Sequence, residues 1–373
     1  MIYPLFEELA VYYSDMNFQD KQKRELNSFY ITLSKCINVN RLAFFPHYFL
    51  NKSMADFKIL ANPVTEETVI LAPRRANRPT ITGTKLAIIC PLCIGREGDE
   101  KELYRVGGEN GDANWQIRVI PNKYPFAPHH ELIIHSPDHH KNIDELPFSQ
   151  VELLLQTYRL RFQTHAKQGQ VYIFHNRGSE GGESLPHPHT QLTVIPDSVA
   201  LDITPLDMQI YKRGKLKEKK GFPLLRTSLF PKSNERAMQS DLLETDHFLV
   251  FCPETSEWPD ESWIAPKKAG KTFGESTNDE IADLAFVLSR LVQLFDLRHG
   301  YEFPFNFYIY PGKNWYLRLI PRLKTLGGFE LGTKVMINTQ ESSATFAFIL
   351  EHFWKPDAAK IRSEQQAEYW RSA

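Results

Sequence analysis

The sequence predicts an α+β protein, with a mainly antiparallel sheet and flanking helices. First, the chain repeats itself: Ile195-Pro196 and Ile320-Pro321 close two similar segments that lie 125 residues apart. Second, each segment has the order strand, strand, helix, strand, strand, which is typical of α+β folds with antiparallel sheets. Third, 42% hydrophobic and 24% charged residues in a chain of 373 are ordinary values for a globular protein.

The first segment runs through Tyr124-Pro125 to a strand over 131–140, and a helix with apolar positions at helical spacing follows it. Ser149 and Glu152 have the spacing of a capping box, which predicts the start of this helix. A strand over 171–176, a glycine-rich loop and a strand over 187–196 complete the segment.

The second segment repeats this order, and its helix has clear ends. Thr277 and Glu280 form a predicted capping box, and Gly300 marks the end of the helix. The strands predicted around this helix are 247–253, 262–268, 305–311 and 314–321.

The repeat suggests four regions. Residues 1–53 are an N-terminal extension of unknown role, and the N-terminal domain covers 54–200, with two short strands within 57–72. A C-terminal domain covers 201–350, and 351–373 form a tail.

Charge and composition exclude several classes of partner. Lys and Arg number 44 against 45 Asp and Glu, so the net charge of −1 gives no global field for nucleic acid or an anionic membrane. No apolar stretch approaches the ~20 residues that span a bilayer, and the start lacks a signal-peptide pattern. Four cysteines are too few for a disulfide framework. We therefore expect a cytoplasmic protein that binds small molecules.

Cys90-Pro-Leu-Cys93 supplies two soft ligands on one turn, as zinc sites do. His139 and His187, the next histidines at predicted strand ends, would complete a closed Cys2His2 site with a structural role. A redox disulfide or metal-free thiols remain alternatives, although Pro91 and Gly95 favour a loop over the strand-to-helix context of redox motifs.

A second motif runs over 176–191 and combines a glycine-rich loop with His187, His189 and Gln191. Glycines allow the backbone to approach an anionic group, and alternate residues of a strand point to one face. An imidazole placed there can attack phosphorus and form a phosphoramidate. The alternatives are a histidine pair bonded to backbone or two zinc ligands. For His129 and His130, after Pro128, we expect a surface loop.

His187-Pro-His189-Thr-Gln191 resembles the transferase branch of the histidine-triad superfamily, in which glutamine replaces the third histidine. Over about 54–350 the chain is similar to the galactose-1-phosphate uridylyltransferase family and the related ADP-glucose phosphorylase, which implies two tandem histidine-triad-like halves. Further matching motifs are Asn62-Pro63-x-Thr65, Ala72-Pro73-Arg74-Arg75, Cys90-Pro-Leu-Cys93, Ser136-Pro-Asp-His139 and Gly327-Gly-Phe329-Glu.

The resemblance implies a role for each matching residue. His189 is then the catalytic nucleophile, supported by Gln191, and a nucleotidyl-histidine links two half-reactions of a ping-pong mechanism. Zinc is bound by Cys90, Cys93, His139 and His187. Substrate contacts fall on Arg75, Arg78, Asn122, Lys123, Asn176, Ser184, Gln191 and Phe329.

The expected function is nucleotidyl transfer to a sugar 1-phosphate, with uridylyl transfer between UDP-glucose and a hexose 1-phosphate such as galactose 1-phosphate as first choice. An NDP-sugar phosphorylase of the ADP-glucose type, with phosphate as acceptor, is the alternative; a nucleotide-sugar hydrolase and a non-catalytic sensor are further rivals. The segment 314–323 lacks the histidines of a second metal site, and Gly328 replaces a family lysine. The resemblance also implies a homodimer.

Overall fold

The computed structural model describes residues 57–62, 67–78, 90–109, 111–203, 205–206, 242–300 and 303–372, with side chains described as far as residue 365. The chain divides into two units, Met1–Ala55 and Asp56–Ala373, and all described residues belong to the second. The predicted extension 1–53 lies outside the described residues, and the four predicted regions stay predictions.

The elements of the first segment follow the predicted order, with one additional short strand at the start of the segment. A hairpin precedes it and consists of β1 (Lys58–Ala61) and β2 (Thr68–Leu71), with a short 3-10 helix at Pro73–Asn77. The remaining elements are β3 (Tyr104–Val106), β4 (Ile117–Pro121), β5 (His129–Ile134), α1 (Phe148–His165), β6 (Gln170–Arg177) and β7 (His189–Ile195).

The second segment repeats the arrangement and adds helices at its end. Its strands are β8 (Leu243–Glu244), β9 (Phe248–Phe251), β10 (Ser262–Pro266), β11 (Phe305–Ile309) and β12 (Leu317–Pro321). Its helices are α2 (Asn278–His299), α3 (Gly328–Thr333), α4 (Ser342–His352) and α5 (Ala358–Ser372).

Both segments contribute to one antiparallel sheet of ten strands, in the order β3-β4-β5-β7-β6-β11-β12-β10-β9-β8. They join where β6 pairs with β11, with Asn176 opposite Asn306. This architecture confirms the predicted α+β class with a mainly antiparallel sheet and flanking helices.

Helices α1 and α2 cover one face of the sheet because each presents an apolar stripe to it. Leu154 of α1 and Leu288 of α2 are buried in the same cluster as Ile173 and Phe307 of the sheet. Each such side chain stabilises the fold by roughly 1.5–3 kcal/mol. The opposite face carries His189 and Gln191 of β7 beside apolar side chains such as Phe174 of β6.

The predicted ends of α2 are confirmed, whereas the predicted start of α1 is wrong. The Thr277–Glu280 capping box is formed, and Gly300 is the C-cap. Helix α1 begins at Phe148 with Pro147 as its N-cap, and no side chain caps it. Ser149 already lies inside the first turn and so cannot occupy the cap position.

The C-terminal region contains more regular structure than a tail requires. Helix α5 falls within the predicted tail 351–373, and its Ile361 is buried in the main core cluster. Among the described residues, no helix combines the length and the apolar character needed to cross a bilayer.

Candidate active site and metal centre

Four side chains that could hold a metal ion converge from three parts of the chain. Cys90 and Cys93 lie on one turn, which is closed by the bond from the Cys93 amide to the Cys90 carbonyl at 3.3 Å. His139 follows β5, and His187 precedes β7. One donor atom from each of these four residues lies within 4.8 Å of the others. The predicted ligand set is thus brought together.

The donor chemistry suits a cation. Cys93 Sγ lies 3.0 Å from His139 Nδ1 and 3.5 Å from His187 Nδ1. His187 Nε2 lies 2.9 Å from the Ser136 carbonyl, which can only accept, so Nε2 carries the proton and Nδ1 is available as a ligand. Burial, with Cys93 beside it, raises the pKa of Cys90 to about 11. Two sulfurs and two imidazoles fit a soft divalent metal ion.

His189 is buried at the start of β7 and has one defined tautomer. Its Nδ1 lies 2.8 Å from the carbonyl oxygen of His187. A carbonyl oxygen only accepts, so Nδ1 carries the proton and Nε2 keeps its lone pair. Burial, helped by the charge of Arg78, lowers the pKa of His189 and favours the neutral ring. The neutral ring therefore has a free lone pair on Nε2.

Gln191 lies two residues further along β7, and its Oε1 accepts two hydrogen bonds. His130 Nε2 is 2.9 Å away, and Asn122 Nδ2 is 3.5 Å away. Since Oε1 is held by these partners, the amide nitrogen of Gln191 points the other way.

The surface loop predicted for His129 and His130 is wrong. Both residues lie in β5, and His130 is only 5% exposed. Burial lowers the pKa of His130 to about 4, so its ring is neutral at pH 7. The alternation of Leu132 and Ile134 along the predicted strand, extended two residues backwards, would have placed His130 on the face of Gln191.

Arg75 lies in the short 3-10 helix Pro73–Asn77, and Arg78 is the C-cap of that helix. Arg75 donates to the Tyr124 carbonyl at 2.6 Å, and its guanidinium lies 4.9 Å from the Phe126 ring centroid. The charge of Arg78 contributes to lowering the pKa of both His130 and His189. The positive charge of Arg78 therefore acts on His189.

The glycine-rich loop follows β6 and leads to His187 and β7. Gly178 has a φ of +75°, which favours glycine, and its carbonyl accepts from the amides of Gly181 and Glu183. A Cβ at Gly181 would lie 2.2 Å from the Arg177 carbonyl oxygen, so no side chain fits there. The half-buried Asn176 and Ser184 flank this loop.

Two predicted contacts, Lys123 and Phe329, have exposed side chains. The Lys123 side chain is 69% exposed, and its Nζ is 4.0 Å from Glu100 Oε1. Phe329 is 54% exposed on α3, in the second segment. The counterpart of His189 in the repeat, Asn314, lies before β12 and accepts from the Gly270 amide.

Comparison with known proteins agrees with this architecture. The family model of the galactose-1-phosphate uridyl transferase N-terminal domain matches residues 128–194. ADP-glucose phosphorylase of Arabidopsis thaliana is 27% identical over 324 residues, 74% of this chain and 88% of the relative. Galactose-1-phosphate uridylyltransferase of Thermotoga maritima is 29% identical over 260 residues, 65% of this chain and 77% of the relative.

A solved structure extends the comparison to the fold. The crystal structure of an ADP-glucose phosphorylase from Arabidopsis thaliana with bound ADP-glucose aligns with a TM-score of 0.57 at 25% identity, covering 79% of this chain and 98% of that one. The fold and the His-Pro-His-Thr-Gln strand are those of a histidine-triad-like protein. The chain is similar to the galactose-1-phosphate uridylyltransferase family and to ADP-glucose phosphorylase.

Proposed function

We propose that this protein is a nucleotidyltransferase that moves a nucleoside monophosphate from an NDP-sugar to a phosphate-bearing acceptor through His189. The bond between His189 Nδ1 and the His187 carbonyl, 2.8 Å long, carries this proposal because it leaves Nε2 as the nucleophile. The family relationship supports it, since the relatives named above are a uridylyltransferase and a phosphorylase.

The proposed reaction has two steps. His189 Nε2 attacks the α-phosphorus, an N–P bond forms, and the bond from phosphorus to the bridging oxygen breaks, so that sugar 1-phosphate leaves with that oxygen. An oxygen of the acceptor phosphate then attacks the same phosphorus, and the N–P bond breaks. The lone pair returns to Nε2, while the Nδ1 proton stays on the ring throughout.

The neighbouring side chains stabilise the charge that develops on the non-bridging oxygens. We assign this role to Asn176, Ser184 and the amide nitrogen of Gln191, and nucleotide binding to Arg75, Arg78 and Asn122. Lys123 and Phe329, whose side chains are exposed, are retained as contacts of the bound substrate.

We propose zinc as the metal of the Cys90, Cys93, His139 and His187 cluster. Four protein ligands leave no open position on the metal. Zinc would therefore have a structural role and would hold the turn of Cys90 and Cys93 against the strand that carries His189. We also propose a homodimer, which rests on the family resemblance, and a cytoplasmic location, which rests on the composition.

Uridylyl transfer between UDP-glucose and a hexose 1-phosphate, with galactose 1-phosphate as the first acceptor to test, is the preferred activity. Phosphorolysis of ADP-glucose is the second candidate, for two reasons. The ADP-glucose phosphorylase alignment spans 88% of that relative, and Gly327-Gly-Phe-Glu resembles the phosphorylase form of the sugar-phosphate segment.

Trapping the intermediate tests the proposal. The purified protein is incubated with UDP-glucose or ADP-glucose labelled at the α-phosphate, and acid-labile label on protein is counted. We expect label from one nucleotide and its release by galactose 1-phosphate or by inorganic phosphate, which identifies the acceptor. His189→Asn should abolish labelling, whereas His129→Asn, on the opposite face of the sheet, should retain it. Nucleotide exchange by His189→Asn at the parental rate would refute the mechanism.

A further inference from the structure

Asn306 of the second segment contacts the first segment, which carries His189. Asn306 of β11 lies opposite Asn176 of β6, one strand beyond the strand of His189. Its Nδ2 lies 2.9 Å from Asn176 Oδ1 and 2.7 Å from the carbonyl oxygen of Gly181 in the glycine-rich loop. It therefore contacts Asn176 and the glycine-rich loop at once.

The orientation of these amides follows from their partners. Arg322 Nη1 lies 2.8 Å from Asn306 Oδ1, and a guanidinium can only donate, so the atom facing Arg322 is oxygen. The other atom of Asn306 is then nitrogen, which agrees with its contact to the Gly181 carbonyl. Asn176 must therefore present its oxygen to Asn306 and direct its own NH2 group away.

We propose that Asn306 is a positioning residue for the transferred phosphate, which rests on the proposed function. It holds the NH2 group of Asn176 toward the non-bridging oxygens and fixes the glycine-rich loop through Gly181. Arg322 keeps Asn306 from turning over. If Asn176 turned its amide, it would present an oxygen to an anionic phosphate, so this orientation decides whether Asn176 attracts or repels the substrate.

Asn306→Asp tests the orientation with little change in shape. Its carboxylate still accepts from Arg322 but repels the Gly181 carbonyl, and Asn176 must turn to donate to it. We expect formation of nucleotidyl-His189 to slow by roughly 10- to 100-fold, and UDP or ADP to bind more weakly. Arg322→Met is a second variant that keeps a long apolar side chain over the Trp258 ring, and it should change both quantities in the same direction.

Asn338→Asp is the matched control. Asn338 Nδ2 also donates to two carbonyl oxygens, those of Ser256 at 2.9 Å and Trp258 at 3.3 Å, but it has no bond to Asn176 or Gly181. It should lose a similar amount of thermal stability and keep the parental labelling rate. In an Asn176→Ala background, Asn306→Asp should slow labelling several-fold less than it does in the parent, because the Asn176 amide that Asn306 positions is absent.

The two proposals fail in different ways. A parental protein that is never labelled refutes the proposed function, while the dissociation constant for UDP or ADP, which needs no chemistry, still measures the effect of Asn306. Parental labelling and affinity in Asn306→Asp, or an equal loss in the Asn176→Ala background, would overturn the positioning role. If Asn306→Asp does not fold, an Arg322→Met protein with parental labelling and affinity would overturn it equally.

Discussion

His130 Nε2 of β5 lies 2.9 Å from Oε1 of Gln191 on the adjacent strand β7, on the face of the sheet that carries His189. The Phe126 amide donates to the other ring nitrogen, Nδ1, at 3.4 Å, which favours a proton on Nε2 of the neutral ring. Asn122 Nδ2 lies 3.1 Å from the same Nε2 and also donates to the Gln191 oxygen. The His130 donor holds the Gln191 carbonyl. Under the proposed function, the Gln191 NH2 group is then left for the substrate.

His130→Leu should slow formation of the nucleotidyl-enzyme by about 10-fold or more, because the Gln191 amide loses its stronger donor and can turn over. His130→Gln retains an N–H near the same place and should keep most of the rate. Single-turnover labelling measures both. Equal rates for the leucine variant and the parent would show that His130 has no part in orienting Gln191.

Gln191→His should increase hydrolysis of the NDP-sugar relative to transfer. An imidazole can transfer a proton to or from water, whereas the glutamine amide does not titrate near pH 7. The measurement is release of free nucleoside monophosphate without an acceptor. Gln191→Asn is the control, since it shortens the side chain without adding an ionisable group. Unchanged hydrolysis in the histidine variant would contradict this role of glutamine.

Metal removal should destabilise the fold before it changes the chemistry. We expect about one zinc ion per chain, lost on incubation with a strong chelator or in Cys93→Ser, together with a lower Tm. Cys252→Ala is the control, because Cys252 is a buried thiol of the core cluster and not a member of the ligand set. Elemental analysis and thermal unfolding measure the two effects. Full metal content in Cys93→Ser would contradict the assigned site.

Asp144 should make stability depend on pH. Burial, reinforced by the charge of Asp296, raises the pKa of Asp144 from 3.8 to about 7. The folded protein therefore binds a proton that the unfolded chain has released between these values, and this contribution to stability is lost as pH rises from about 4 through 7.

Asp144→Asn cannot ionise, so it should gain stability relative to the parent as pH rises, by up to about 4 kcal/mol above pH 7. Denaturant unfolding of both proteins at pH 5 and pH 8 measures the difference. Asp202→Asn, at an exposed carboxylate, serves as the control. A parent-to-variant difference that is the same at both pH values would disprove the shift.

The strands and the long helices were predictable because their signals are local. The capping box at Thr277 and the apolar stripe of α2 depend on residues within a few turns of one another, and both are found in the structure. The alternation of His189 and Gln191 on one strand is equally local. The start of α1 was missed because a capping-box spacing also occurs inside a helix, where Ser149 and Glu152 lie.

The sequence by itself determined the α+β class, the repeat and the strand that carries His189. Only the tertiary structure brought His130 to Gln191, 61 residues along the chain, and Asn306 to Asn176, 130 residues along. These contacts depend on which strands pair and in which register. Register is decided by burial of the whole sheet beneath its helices, so no local pattern encodes which amide faces which donor.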